Sequence, residues 1–200
     1  MKRWVVTVAL SLVLASAMLG ALGLVALRGG ISARPEPSAF EAAVARRIRH
    51  MAIPASDRAL RNPVGDTSAA VAGGLAHFAD HCAVCHGNDG KGETQFGRGL
   101  YPRPPDLTAT PTQRLSDGEL FYIIENGVRF TGMPAFGAEG RSELSWHLVA
   151  FLRHLPALTA AELHEMERLN PRPASEWKEL QEDDEFLNGA TGPAPTSARP

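Results

Sequence analysis

Cys82-Ala83-Val84-Cys85-His86 is the stretch that decides how this chain reads, and it holds both of the protein's cysteines. On a helical turn, residues three apart lie on one face, so two such thiols can reach the two vinyl groups of a single porphyrin and form thioethers. His86 follows at once and can place its imidazole on the iron. The five residues therefore fit the Cys-x-x-Cys-His pattern of covalent haem attachment. Ala83 and Val84 are small and unreactive, which leaves a macrocycle access to the helix surface. A disulfide closing so short a loop would restrict the unfolded chain little. A thioredoxin-like redox pair requires a preceding strand, whereas residues 73–81, Gly-Gly-Leu-Ala-His-Phe-Ala-Asp-His, follow a helical pattern. A zinc site needs four ligands, and there is no second cysteine pair.

Outward from the motif, residues 70–156 alternate helical patterns with Gly/Pro-rich loops and show no strand-like alternation. The expectation is a small all-α domain over 70–157, with helices at 72–85, 116–126 and 142–154. Ser116 followed by Glu119 makes a capping box that satisfies orphan backbone donors, and Gly127 suits a helix stop. A haem iron that carries electrons prefers both axial positions filled, and a methionine opposite the histidine raises its potential. Of the five methionines, Met1 and Met18 lie at or in the N-terminal apolar run, Met51 lies in a linker, and Met166 follows the last domain helix. Met133 remains, within Phe130-Thr131-Gly132-Met133-Pro134-Ala135-Phe136, where Gly132 allows backbone near a ring and Pro134 stiffens the loop. A second histidine is the other option. His147 and His154 stand seven apart on the last helix, while His77 and His81 share the attachment helix and sit badly for the opposite haem face.

The first 28 residues read as a membrane anchor. Trp4 to Leu27 is a run of 24 residues without a charge, and a helix of that length exceeds a hydrocarbon core of about 30 Å. Lys2 and Arg3 precede it, which favours a cytoplasmic N-terminus and places the rest of the chain across the membrane. A cleaved signal peptide is the alternative, with a small-residue site at Ala15-Ser16-Ala17. Residues 29–69 read as an arginine-rich linker broken by Pro35, Pro37, Pro54 and Pro63, within which 37–51 has the spacing of a short amphipathic helix. Residues 158–200 read as an acidic extension. Thr159 and Glu162 suggest one more capped helix over 159–170, Glu182-Asp183-Asp184-Glu185 a solvated cluster, and the Gly/Pro/Ala-rich end disorder.

A formal net charge of −2 gives no basic excess of the kind nucleic-acid binders carry. Aromatic content of 6% beside 19 glycines and 15 prolines implies a small, loop-rich core that a large cofactor would help to fill.

The ordered set of motifs resembles the class I cytochrome c family, and more closely the bacterial single-haem cytochromes of the cytochrome-oxidase-subunit-III-like type. The likeness covers residues 70–155: the helix ending in Cys82-Ala83-Val84-Cys85-His86-Gly87, the stretch leading to Gly132-Met133-Pro134, and a last helix with Trp146 and Phe151. It implies that Gly74 and Phe78 cross the last helix at Trp146 or Phe151. It implies that the Pro105 carbonyl fixes the imidazole of His86, with Leu107 against the ring. Arg103 and Arg98 are candidates to pair with haem propionates, although no motif assigns them. The chain departs from the two-haem members in having one attachment motif, and its charged tail after Pro156 lies outside the pattern. The function expected is that of an electron carrier, not an enzyme: one covalent haem c on Cys82 and Cys85, with His86 and Met133 as axial ligands. It would stand at a bacterial inner membrane with the haem domain facing the periplasm. Its partners would be a quinol-oxidising complex or dehydrogenase on one side and an oxidase or reductase on the other. A five-coordinate haem sensor or enzyme, and a docking subunit of a larger redox complex, are the competing readings.

Overall fold

The computed structural model describes residues 2–28, 32–138 and 140–170, so the acidic cluster at 182–185 and the expected disordered end lie outside the described residues. The chain divides into two units, Met1–Glu36 and Pro37–Pro200. The first carries α1 (Lys2–Arg28), an uninterrupted helix with no proline. Its Arg3–Val25 portion, 23 residues of mean hydropathy 2.3, is long and apolar enough to cross a membrane. The hydroxyls of Thr7 and Ser11 donate to the carbonyls of Arg3 and Thr7, so these polar side chains are satisfied within the helix itself.

In the second unit, all regular elements among the described residues are helical, as the sequence predicts. Its centre is the crossing of α4 (Ser68–His81) with α8 (Ser142–His154). Thr67 caps α4 by accepting from the Ala70 amide, so the helix starts four residues before the sequence pattern suggests. Gly74 makes the crossing possible. A Cβ there would stand 2.6 Å from the Phe151 Cβ and 2.8 Å from the His147 carbonyl carbon, so only a residue without a side chain lets the backbones meet. One turn on, the Phe78 and Phe151 rings meet at 5.2 Å. The two are 1% and 0% exposed, and burying a side chain of this size contributes about 1.5–3 kcal/mol. Of the two aromatics offered for this crossing, Phe151 takes it. Trp146 instead stacks on Phe121 of α7 (Asp117–Asn126), with centroids 4.0 Å apart and planes 11° from parallel.

The Ser116–Glu119 capping box forms and Gly127 ends α7. Arg153 ties α8 to this end of α7, its guanidinium donating to the Asp117 carboxylate and to the carbonyls of Gln113 and Leu115. Residues 39–58, which read as part of a linker, form α2 (Ala39–Ala52) and α3 (Ala55–Arg58); α3 rests against α7, and α2 is tied to it through His50. Ser116 donates to the Arg58 carbonyl, a Cβ on Gly118 would run into the Asp57 carbonyl, and His50 Nδ1 meets Glu119 at 2.7 Å. Ile53, between α2 and Pro54, is 2% exposed. Beyond the 3-10 turn Leu155–Ala157, α9 (Ala160–Leu169) folds back on α4 and inserts Met166, 0% exposed, into the same core. Met166 is thus a core residue of the domain, although its place in the chain puts it beyond the expected 70–157 domain, in the acidic extension. The Thr159–Glu162 capping box is present as expected.

Candidate functional site

The attachment motif sits where α4 ends. The helix stops at His81, Cys82 takes φ −104° and ψ −35°, and a separate turn, α5 (Ala83–His86), carries the second cysteine and the histidine. Cys82, Cys85 and His86 therefore belong to one short helical segment, with the amides of Cys85 and His86 both donating to the Cys82 carbonyl. Both thiols are free. Burial, aided by the neighbouring Cys85, pushes the Cys82 thiol up to about 12, and burial also raises Cys85. A dithiol redox centre works the other way, by lowering a cysteine so that it attacks as thiolate. These thiols stay protonated and unpaired, which argues against the redox-pair alternative.

His86 is half-buried, its ring 6.4 Å from that of Phe78. Burial lowers its basicity, opposed by the nearby Pro105 carbonyl, so the imidazole is neutral at pH 7, the form that ligates a metal. Its Nδ1 is buried with no full hydrogen bond: the Pro105 carbonyl faces it without closing one. The loop after His86 is pinned by the segment that supplies this carbonyl. The Leu107 amide donates to the Gly90 carbonyl at 2.8 Å, and the Leu107 side chain is 8% exposed within the core. Pro105 thus lies beside His86, and Leu107 anchors its strap.

Met133 lies in the loop between α7 and α8, half-buried. Its amide donates to the Thr131 hydroxyl, its carbonyl accepts from the Val128 amide, and the Phe136 amide returns to the Ile124 carbonyl. Two contacts bring this loop to the attachment motif. Phe136 meets the ring of His81 edge-on at 6.2 Å, immediately before Cys82. Gly132 abuts the Leu100 side chain, and Leu100 ends the 3-10 turn Gly97–Gly99. That turn is held to Cys85 through Thr94, which donates to the Cys85 carbonyl and accepts from the Gly97 amide.

The other histidines have partners of their own. His154 pairs with Glu162 at 2.8 Å, His50 with Glu119 at 2.7 Å, His81 with Asp80 at 3.0 Å, and His147 packs over Gly73. His77 meets the His81 ring at 4.7 Å, tilted by 41°, and lines a cavity of about 200 Å³ together with Phe136 and Arg141. Arg98 is exposed and Arg103 half-buried. Sequence reasoning missed Asn88, which follows the motif by two residues, is 8% exposed, and accepts a hydrogen bond from Asn170 at the end of α9. A buried asparagine leaves no sequence signal that separates it from a loop residue.

Two neighbouring thiols, a neutral histidine whose buried Nδ1 faces the Pro105 carbonyl, and a methionine loop resting against the same region form a donor set suited to a haem. The helical frame and this set define a class I c-type cytochrome domain. Residues 69–152 match the protein family described as cytochrome C oxidase, cbb3-type, subunit III. No curated protein matches the chain. The domain accordingly serves haem-based electron transfer.

Proposed function

We propose that the chain is a membrane-tethered electron carrier with a single haem c, joined by thioethers to Cys82 and Cys85 and ligated by His86 and Met133. The observation that carries this reading is the neutral, half-buried His86 held on one short segment with two unpaired thiols. When bound, the haem supplies a one-electron couple at its iron. The protein does the rest. His86 presents a neutral imidazole, and the Pro105 carbonyl orients it through Nδ1, the role that groups behind a ligating histidine usually play. Met133 would hold the metal through its thioether, from a loop braced at Leu100 and His81, and would thereby keep small ligands off it. The α1 helix, with Lys2 and Arg3 at its start, would hold the carrier at the bacterial inner membrane with the domain in the periplasm. There it would take electrons from a quinol-oxidising complex or a dehydrogenase and pass them to an oxidase or reductase.

The test is the visible absorption spectrum of the oxidised and reduced protein. A weak long-wavelength band from Met sulfur on ferric iron, present in wild type and lost in Met133→Ala, is the expected result. A wild type without the band, whose reduced form binds carbon monoxide readily, would replace this reading with the five-coordinate one.

A further inference from the structure

The α2 helix presents an apolar stripe to solvent on the side away from the domain. At 3.6 residues per turn, Phe40, Val44, Ile48 and Met51 fall within an arc of about 80°. They are 79%, 40%, 55% and 61% exposed, and α2 contributes no buried residue at all. The opposite face does the docking: Ala42 and Arg49 are half-covered there, and Arg49 senses the Glu119 carboxylate. His50 reaches Glu119 from the edge of that face, and the chain turns into the buried Ile53. The stripe therefore points outward because the helix is held from behind.

Charge and connectivity say what covers it. Arg46, Arg47 and Arg49 leave α2 with one acidic residue, Glu41, which accepts from the Tyr101 hydroxyl. Arg47 is exposed and borders the stripe. Ten residues separate the end of α1 from the start of α2, so at about 3.3–3.6 Å per residue α2 begins no more than roughly 36 Å along the chain from the membrane-length helix. An amphipathic helix with an apolar face and arginines, kept close to a bilayer, meets the requirements for lying in the headgroup plane.

We propose that α2 is an interfacial helix, seating Phe40, Val44, Ile48 and Met51 in the outer face of a bilayer containing anionic phospholipid, with Arg47 at the phosphates. It gives the haem domain a second, oriented contact with the membrane. The proposal rests on α1 being a membrane span, so its test must tell the two apart.

The experiment uses the full, haem-loaded chain in vesicles of phosphatidylethanolamine and phosphatidylglycerol, with one nitroxide label at Val44→Cys, Ile48→Cys, Lys91→Cys or Leu14→Cys. Power saturation compares collisions with oxygen, which concentrates in lipid, and with a water-soluble nickel chelate, each relative to nitrogen. Labels at 44 and 48 should meet oxygen several-fold more than nickel, and the label at 91 the reverse. Labels at 44 and 48 as open to nickel as that at 91 would overturn the proposal, and so would labels shielded from both reagents, which would mean a protein on the stripe. The Leu14 label reports α1 alone. Lipid exposure there with water exposure at 44 and 48 sinks only the interfacial helix; the converse sinks only the anchor.

Discussion

Replacing Gly74 with alanine tests the crossing on which the haem domain is built. The new methyl would lie 2.6 Å from the Phe151 Cβ and 2.8 Å from the His147 carbonyl carbon, where ordinary contact begins at 3.4 Å. Both obstacles are backbone or the root of a side chain, so neither can swing aside. The His147 carbonyl oxygen lies closer still, so the helices must part by about 1.2 Å, and a gap of that order forfeits about half of each dispersion contact it opens. A buried side chain the size of leucine makes about 40–60 such contacts at about 0.1–0.2 kcal/mol each, and with about half of those at Phe151 facing α4 the loss is roughly 1–2 kcal/mol. Strain from overpacking adds about 1–3 kcal/mol, and the better helix propensity of alanine returns about 1 kcal/mol. The net expectation is a loss of about 2–3 kcal/mol, or a Tm lower by about 10 °C. Gly73→Ala is the control. Its methyl meets only the His147 ring, at 3.0 Å, which can rotate away, so the propensity gain should leave that variant as stable as wild type or slightly more so. The assay is guanidinium unfolding of the haem-loaded full chain in detergent, followed by circular dichroism. Equal stability of the two variants would refute the account of Gly74 as the point of closest approach.

Two further outcomes follow from polar contacts. Glu162 is held down to about 2 by the Thr159 amide and then by His154 and the Thr159 hydroxyl, against 4.5 for an ordinary glutamate. A depressed carboxylate stabilises the fold above its unfolded value and loses that contribution as pH falls through the folded one. Stability should therefore decline between pH 4.5 and 2, and Glu162→Gln should flatten that part of a Tm-against-pH profile; an unchanged slope would remove Glu162 as its cause. Arg153→Lys should cost about 1–3 kcal/mol in the same guanidinium assay, because an ammonium cannot span the Asp117 carboxylate and the Gln113 and Leu115 carbonyls together. A lysine variant as stable as wild type would show that the fork geometry is unimportant.

What could be read from the sequence was local. The Cys82 to His86 spacing, the capping boxes at Ser116 and Thr159, and the uncharged run from Trp4 to Leu27 each depend on residues within a turn or on one continuous stretch. Backbone geometry alone turns such spacings into shared faces and satisfied donors. The all-α class and the resemblance to class I cytochromes followed from those pieces in order. The rest was decided by contacts between residues distant in the chain, which depend on the paths of the loops. Phe151 and not Trp146 meets α4, because only Phe151 stands over the gap that Gly74 leaves, while Trp146 finds a flat partner in Phe121. Glu119 could be read as a cap, but its pairing with His50, 69 residues away, depends on α2 and α3 docking on α7. Met166 became core because α9 turns back onto α4, burying an apolar side chain that would otherwise stay in water. Tertiary packing likewise left Phe40, Val44, Ile48 and Met51 outside, since α2 is held by its polar face.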